Sequence, residues 1–386
     1  MIRIFVLIAF TLAVNSLTVA QVTVDCTAGQ SLNHALSKLD KHTPITVSVN
    51  GSCTEYVQVI GFENLTLKGL AGATLLQPTT GAGKLLNSLL YIESSRSVTV
   101  DGFSIQADTV TDPAVGIGHG SSDIRLRNLK IEGGTFGIIV FENSQVSIAY
   151  VTAQDPGFTT LGVYDSSDVH VERSAFKDST GASYHVGMDV GASHVTVYGT
   201  TISNMQVGMN GHGDAIIDVQ TFNTYYAFGG PSDVVIDSPA GTNYNGVTID
   251  TGGSLNVGSA KLVINKPGQT YGGTTGGVLI SDGAAMTASN GNLVITHSNG
   301  QGVMALNNSH ATVIGATVTG GSHGGLVAAN LSSIDVSAGT TLTLVGGNSV
   351  DLFCDPDSTI TGSANLSGVP ISQCTNLLAG ETVTLP

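Results

Sequence analysis

The chain has 386 residues, of which 50 are glycine, none is tryptophan and 11% are charged, with a formal net charge of −15. This apolar, low-charge composition excludes a disordered chain, and the glycine content excludes a mainly helical one. The negative charge makes nucleic acid and anionic lipid poor partners, because like charges repel.

Residues 1–20 carry the marks of a secretory leader. Arg3 is the single positive charge, an apolar run covers residues 4–14, and small residues close it at Thr18-Val19-Ala20. Cleavage is expected after Ala20, which makes the mature chain secreted, periplasmic or extracellular. The apolar run is too short to span a bilayer, and no later segment reaches that length. Four cysteines then fall into two sequence-local pairs, Cys26 with Cys53 and Cys354 with Cys374. Of the three pairings that four cysteines allow, the local one is expected: an exported chain permits disulfides, and each bridge would clip one end of the fold. Residues 30–39 place Leu32, Ala35, Leu36 and Leu39 on one helical face. This short α-helix is expected to plug the first coil of a solenoid.

A repeat follows. Val98, Val100, Phe103 and Ile105 set apolar residues at relative positions 0, 2, 5 and 7. The same positions hold Ile124, Leu126, Leu129 and Ile131, then Val146, Ile148, Val151 and Ala153, and later Val195, Val197, Thr200 and Ile202. Alternate apolar residues are the strand period, and the change of phase after the second position predicts a corner between two strands. Successive units start at Val98, Ile124, Val146, Val169, Val195 and Ile217. A unit of that length cannot bury its inner face alone, so the units are expected to stack about 4.8 Å apart. A second signature recurs between them as Gly116-Ile117, Gly137-Ile138, Gly162-Val163, Gly187-Met188 and Gly208-Met209. Residues 225–246 interrupt the period with glycine and proline, and the repeat resumes beyond them. The expected organisation is a leader (1–20), an N-terminal cap (21–60), an all-β parallel β-helix (61–353) and a C-terminal cap (354–386).

On this pattern the chain resembles the pectate-lyase-like superfamily of right-handed parallel β-helices, and more narrowly the secreted bacterial β-helix repeat proteins. The resemblance implies the right-handed parallel β-helix with a short capping α-helix. It does not imply one activity, because the fold hosts lyases, hydrolases, epimerases, adhesins and inert scaffolds. Polygalacturonase-type hydrolases carry four short motifs on one face. Gly118-His119-Gly120 and Gly211-His212-Gly213 match one of them, but Asn-Thr-Asp, Asp-Asp and Arg-x-Lys are absent. For a lyase the resemblance implies Ca²⁺ held by carboxylates, and an Arg or Lys base such as Arg127.

Counting back from the strand starts gives one dense set of reactive side chains. Glu142 and Asp165 share an offset and are expected one rung apart. His119, Phe141, Tyr164 and His212 share the neighbouring row, and Asp189 falls close by, preceded by His185. Two carboxylates at that spacing suit a retaining glycosidase pair or a divalent cation, so Glu142, Asp165, Asp189, Tyr164 and His212 are the candidate catalytic residues. The competing reading makes them solvated turn residues, chosen for their backbone preferences. The basic residues Arg125, Arg127, Lys130, Arg173 and Lys177 read either as a surface ion-pair ladder or as a source of the lyase base. Two functions follow. One is a monomeric secreted protein that engages extracellular polysaccharide as a lyase or hydrolase. The other is a non-catalytic scaffold or adhesin, which the scarcity of aromatic residues (5%) favours.

Overall fold

The computed structural model describes residues 20–79, 88–108, 112–179, 185–220, 233–237, 245–265, 276–296, 300–319, 324–343, 352–367 and Cys374. The leader before Ala20, much of the interruption at 225–246 and most of the C-terminal cap lie outside the described residues. Strands form two sheets, one of 25 strands and one of 12, with parallel pairing throughout. Each regular coil gives two strands to the larger sheet and one to the smaller. One coil runs through Gln145–Ala149, Thr152–Gln154 and Thr159–Val163. The next runs through Asp168–Glu172, Ala175–Lys177 and Val186–Gly191.

The register stacks the repeat as the sequence spaces it. Ile124 pairs with Val146, Val146 with Val169 and Val169 with Val195. Ile124, Leu126, Leu129 and Ile131 are all buried, so offsets 0, 2, 5 and 7 line the interior on both sides of a corner. Offset 4 makes that corner. Gly102, Asn128, Tyr150, Arg173 and Gly199 occupy it with φ of 80°, 51°, 56°, 45° and 57°. One left-handed residue turns the chain there, at a cost of about 1–2 kcal/mol wherever a side chain replaces glycine.

A different corner returns the chain from the 12-stranded sheet. It uses two successive left-handed residues, such as Asp165-Ser166 and Asn307-Asn308. A ladder of buried serines then crosses from coil to coil. The amide of Ser144 donates to Ser167 Oγ at 3.2 Å, and that of Ser167 to Ser193 Oγ at 3.1 Å. These bonds satisfy backbone donors that the corner takes out of the sheet.

The glycine signature resolves into two columns. Gly137, Gly187, Gly208, Gly246, Gly277 and Gly302 enter the 12-stranded sheet where it meets the second leg of the larger one. A Cβ on Gly208 would stand 2.5 Å from the Gly246 carbonyl oxygen and 2.6 Å from Ile236 Cγ2. Gly116 and Gly162 belong to a different column, two residues further along the strand.

The helix α1 spans Leu32–Leu36, shorter than the expected 30–39, and buries Leu32 and Leu36 on the first coil. Glu55 caps it, accepting from Ser31 Oγ at 2.7 Å, Leu32 N at 2.6 Å and Asn33 N at 3.2 Å. The strands Ile45–Asn50, Ser52–Thr54 and Val57–Ile60 build a full coil inside the segment assigned to the cap. A further strand, Ala20–Asp25, pairs with Ile45–Asn50. Both sequence-local disulfides form, Cys26–Cys53 and Cys354–Cys374. Among the described residues no helix is long and apolar enough to cross a membrane.

Candidate functional site

Strands of the 12-stranded sheet alternate inward and outward residues. Ile138, Leu161, Met188 and Met209 point into the core. Two outward rows flank the site. One runs Gln58, Tyr91, Gly116, Ile139, Gly162, Asp189, Asn210. The other lies two residues further along each strand and carries Glu93, Gly118, Phe141, Tyr164, Gly191 and His212.

Glycine and aromatic residues share these rows for a steric reason. A Cβ on Gly118 would lie 2.7 Å from the Phe141 ring, and one on Gly162 would lie 2.7 Å from the Tyr164 ring. A Cβ on Gly191 would meet His212 at 2.6 Å and Tyr164 at 3.1 Å. The missing side chains let the rings approach the sheet closely. The result is an aromatic floor. Tyr91 and Phe141 have ring centroids 6.5 Å apart, Phe136 and Tyr164 6.3 Å, and Tyr164 and His212 6.4 Å. Phe158 meets Phe136 edge-on at 6.0 Å and is 45% exposed.

Asp189 sits in this floor at 9% exposure. Tyr164 Oη donates to its Oδ2 at 2.6 Å, Asn210 Nδ2 donates to its Oδ1 at 2.7 Å, and His212 Nε2 lies 3.5 Å from Oδ1. Burial and the bond to Asp189 together push the Tyr164 phenol far above the usual tyrosine range, so it stays a donor at every physiological pH. Tyr91 is pushed up to about 12 by burial and by the charges of Glu93 and Glu142.

Three of the expected site residues, Tyr164, Asp189 and His212, therefore converge. Glu142 and Asp165 stand apart from them. Both occupy the first left-handed position of the return corner, with φ of 54° and 57°, where Asn and Asp serve elsewhere. Glu142 is bound by His119 Nδ1, whose other nitrogen lies 3.8 Å from Glu93. By register Glu142 and Asp165 lie one rung apart, as expected, whereas Glu142 is two rungs and three residues from Asp189, roughly 14 Å between backbones. The expected row also shifts by one residue. Gly118, not His119, aligns with Phe141 and Tyr164, because the corner through Gly120, Ser121 and Ser122 holds an extra residue. His185 turns away to the wholly buried Asp178, its Nδ1 2.7 Å from Oδ2.

The basic residues lie on the larger sheet, away from the floor. Arg125 pairs with Asp123 at 2.8 Å, Lys130 with Glu132 at 3.7 Å, and Arg173 donates to Tyr150 Oη at 2.6 Å. Arg127 is thus on the wrong sheet to serve a substrate at Asp189. Among the described residues the one close group of three His, Cys, Asp or Glu ligand atoms is Cys26, Cys53 and Glu55. Two of these form a disulfide and the third caps α1, so this group is no candidate metal site. Sequence reasoning missed Asn210, Phe136, Phe158 and Tyr91. The signal for the floor was present as Gly162-Val163-Tyr164 and Asp189-Val190-Gly191, where residues two apart share a face.

Residues 84–223 match a family model described as the right handed beta helix region. No curated protein matches the chain. The catalytic domain of GH87 α-1,3-glucanase, solved with nigerose, is similar at 13% identity with a TM-score of 0.43, over 88% of this chain and 67% of that one. PfbA, a surface adhesin of Streptococcus pneumoniae, is similar at 12% identity with a TM-score of 0.38, over 85% and 82%. Pectate lyase Pel9A is similar at 11% identity with a TM-score of 0.33, over 95% and 81%. With the family match lying on stacked parallel coils, the chain has the fold of a right-handed parallel β-helix.

Proposed function

We propose that this is a secreted protein that engages a neutral extracellular polysaccharide along the outer face of the 12-stranded sheet. The observation that carries the reading is the aromatic floor laid over glycines beside a nearly buried, hydrogen-bonded Asp189. Flat rings stack against the C–H faces of sugars, and a fixed carboxylate and amide accept and donate to their hydroxyls. Glu93, Glu142 and Asp189 give this face negative charge, which disfavours an acidic glycan. The geometry supports binding more strongly than bond cleavage. Asp189 is already committed to two close donors, Tyr164 and Asn210.

Calorimetric titration with a panel of neutral polysaccharides tests this, alongside an assay for new reducing ends. Wild-type protein is expected to bind at least one of them, and Asp189→Asn to weaken that binding at least tenfold with the fold intact. Unchanged affinity in Asp189→Asn, or tighter binding to a polyuronate than to every neutral glycan, would overturn the proposal. Sustained release of reducing ends that Asp189→Asn abolishes would convert the binding face into an active site.

A further inference from the structure

The outer rows of the 12-stranded sheet do not run off its N-terminal end. They stop at a cavity of about 350 Å³ between that sheet and α1, lined by Leu36, Ser37, Lys41, Gln58, Ile60 and Phe62. Gln58 and Ile60 are the outward residues of the first strand, Val57–Ile60, and they begin the two rows that pass Tyr91 and Glu93 on the way to Asp189 and His212.

The end wall is rigidly placed. Leu32 and Leu36 anchor α1 in the core beneath the first coil. The Asn33 carboxamide acts as one more peptide group on the open edge of the first strand: Gln58 N donates to its Oδ1 at 3.0 Å, and its Nδ2 donates to the Tyr56 carbonyl. The cavity floor is apolar (Leu36, Ile60, Phe62) and its rim polar (Ser37, Gln58, Lys41). Lys41 Nζ is held 5.6 Å from the Phe62 ring centroid, and the Lys41 carbonyl accepts from Glu63 N at 2.7 Å. An apolar floor with a few converging donors is what one sugar ring requires.

We propose that this cavity receives the terminal sugar of the polysaccharide that lies along the sheet, so that the protein binds a chain end and not a chain interior. The inference rests on the reading of the sheet face as a carbohydrate site. Five rungs separate the first strand from the strand carrying Asp189, about 24 Å. At about one sugar per rung, roughly six sugars reach from Asp189 into the cavity. A longer chain meets α1 at this end, and at the other it has already passed Asp189, Asn210 and His212.

The test uses cello-, laminari- and nigero-oligosaccharides of two to eight glucose units, titrated by calorimetry into wild type, Ile60→Trp, Lys41→Ala and Asp189→Asn. Circular dichroism and melting confirm that each variant folds. For the series that binds, wild-type affinity is expected to rise to about six units and then level. Ile60→Trp, which fills the cavity, and Lys41→Ala should each weaken the longest oligosaccharides about tenfold and leave the shortest unchanged, which a general packing defect would not do. Asp189→Asn should weaken all lengths. Affinity that keeps rising past the wall, or pocket variants that bind long oligosaccharides like wild type, would overturn the chain-end inference alone. If no series binds wild type, the reading of the face falls and the inference falls with it.

Discussion

His194, on the outer side of the larger sheet, stands between two carboxylates. Its Nδ1 lies 3.0 Å from Asp168 Oδ1 and its Nε2 3.1 Å from Asp218 Oδ2, so a protonated ring joins neighbouring coils. The bond to Asp218, helped by the charge of Asp168, raises His194 above the ordinary histidine value of 6.5. The bond to His194, helped by Asn256, lowers Asp218 below the ordinary 3.8. A raised histidine contributes its full stability below about pH 6.5 and loses it as pH climbs through the folded-state value. A depressed carboxylate contributes fully above about pH 4 and loses it as pH falls through its own folded-state value. Both hold in the mildly acidic window between. His194→Gln should therefore lower the urea midpoint at about pH 5 and have little effect at about pH 9. Equal losses at both pH values would show that the imidazole packs and does not pair. Solvent reaches the ring, so the effect should also shrink in high salt. The same residue-by-residue view explains two asparagines that sit in glycosylation-type triplets. Asn330 Nδ2 donates to Asn307 Oδ1 at 2.9 Å, Asn307 Nδ2 donates to Asp282 at 2.8 Å, and the triplet serines Ser309 and Ser332 are buried in the corner ladder. Their recurrence follows from the coil.

Among the elements, the glycine column carries a sharp steric demand. Gly208→Ala puts a methyl against the Gly246 carbonyl and the Ile236 side chain, and both belong to packed strands that cannot retreat. It should cost about 1–3 kcal/mol. Gly258 has nothing nearer than 3.8 Å to a built Cβ, so Gly258→Ala should be neutral or stabilise by about 0.4–1 kcal/mol. Chemical unfolding of the two variants decides this, and similar midpoints would mean that the column is not close-packed. Strand positions were legible because burial writes itself into the sequence: Val146, Ile148, Val151 and Ala153 are all buried, and their spacing alone marks an inward face. Corners were not, because one backbone conformation is filled by chemically unlike residues, as Asn128, Tyr150 and Arg173 show. The candidate site suffered from the same cause. Tyr164, Asp189 and His212 lie on strands or directly beside them, where counting is reliable. Glu142 and Asp165 lie on a corner, and one inserted residue between Gly118 and Ile124 misaligned His119 with Phe141. The rings of Phe136 and Phe158 escaped because they belong to the other end of the same face, five residues before Phe141 and six before Tyr164.

At the scale of the whole molecule, each coil touches only the one before and the one after, so stability propagates from neighbour to neighbour and the ends are weakest. The Cys26–Cys53 bridge answers this at the N-terminus. It closes a separation of 27 residues and ties the strand Ala20–Asp25, α1 and the first coil into one unit. Loop-closure entropy alone assigns such a bridge about 3–4 kcal/mol. In a compact globule that loss would be shared by the whole fold, but in a coil it should stay local. Replacing Cys26 and Cys53 by serine is therefore expected to raise amide exchange about a hundredfold in peptides covering residues 20–60, while peptides covering residues 168–219 keep wild-type protection. Hydrogen exchange read by mass spectrometry measures both regions in one experiment. Acceleration spread evenly along the chain would mean that the coils unfold as a single cooperative body. Acceleration confined to the first coil would leave the aromatic floor and Asp189 in place while loosening α1. The end wall of the glycan path and its binding surface thus have separate stabilities, because different coils hold them.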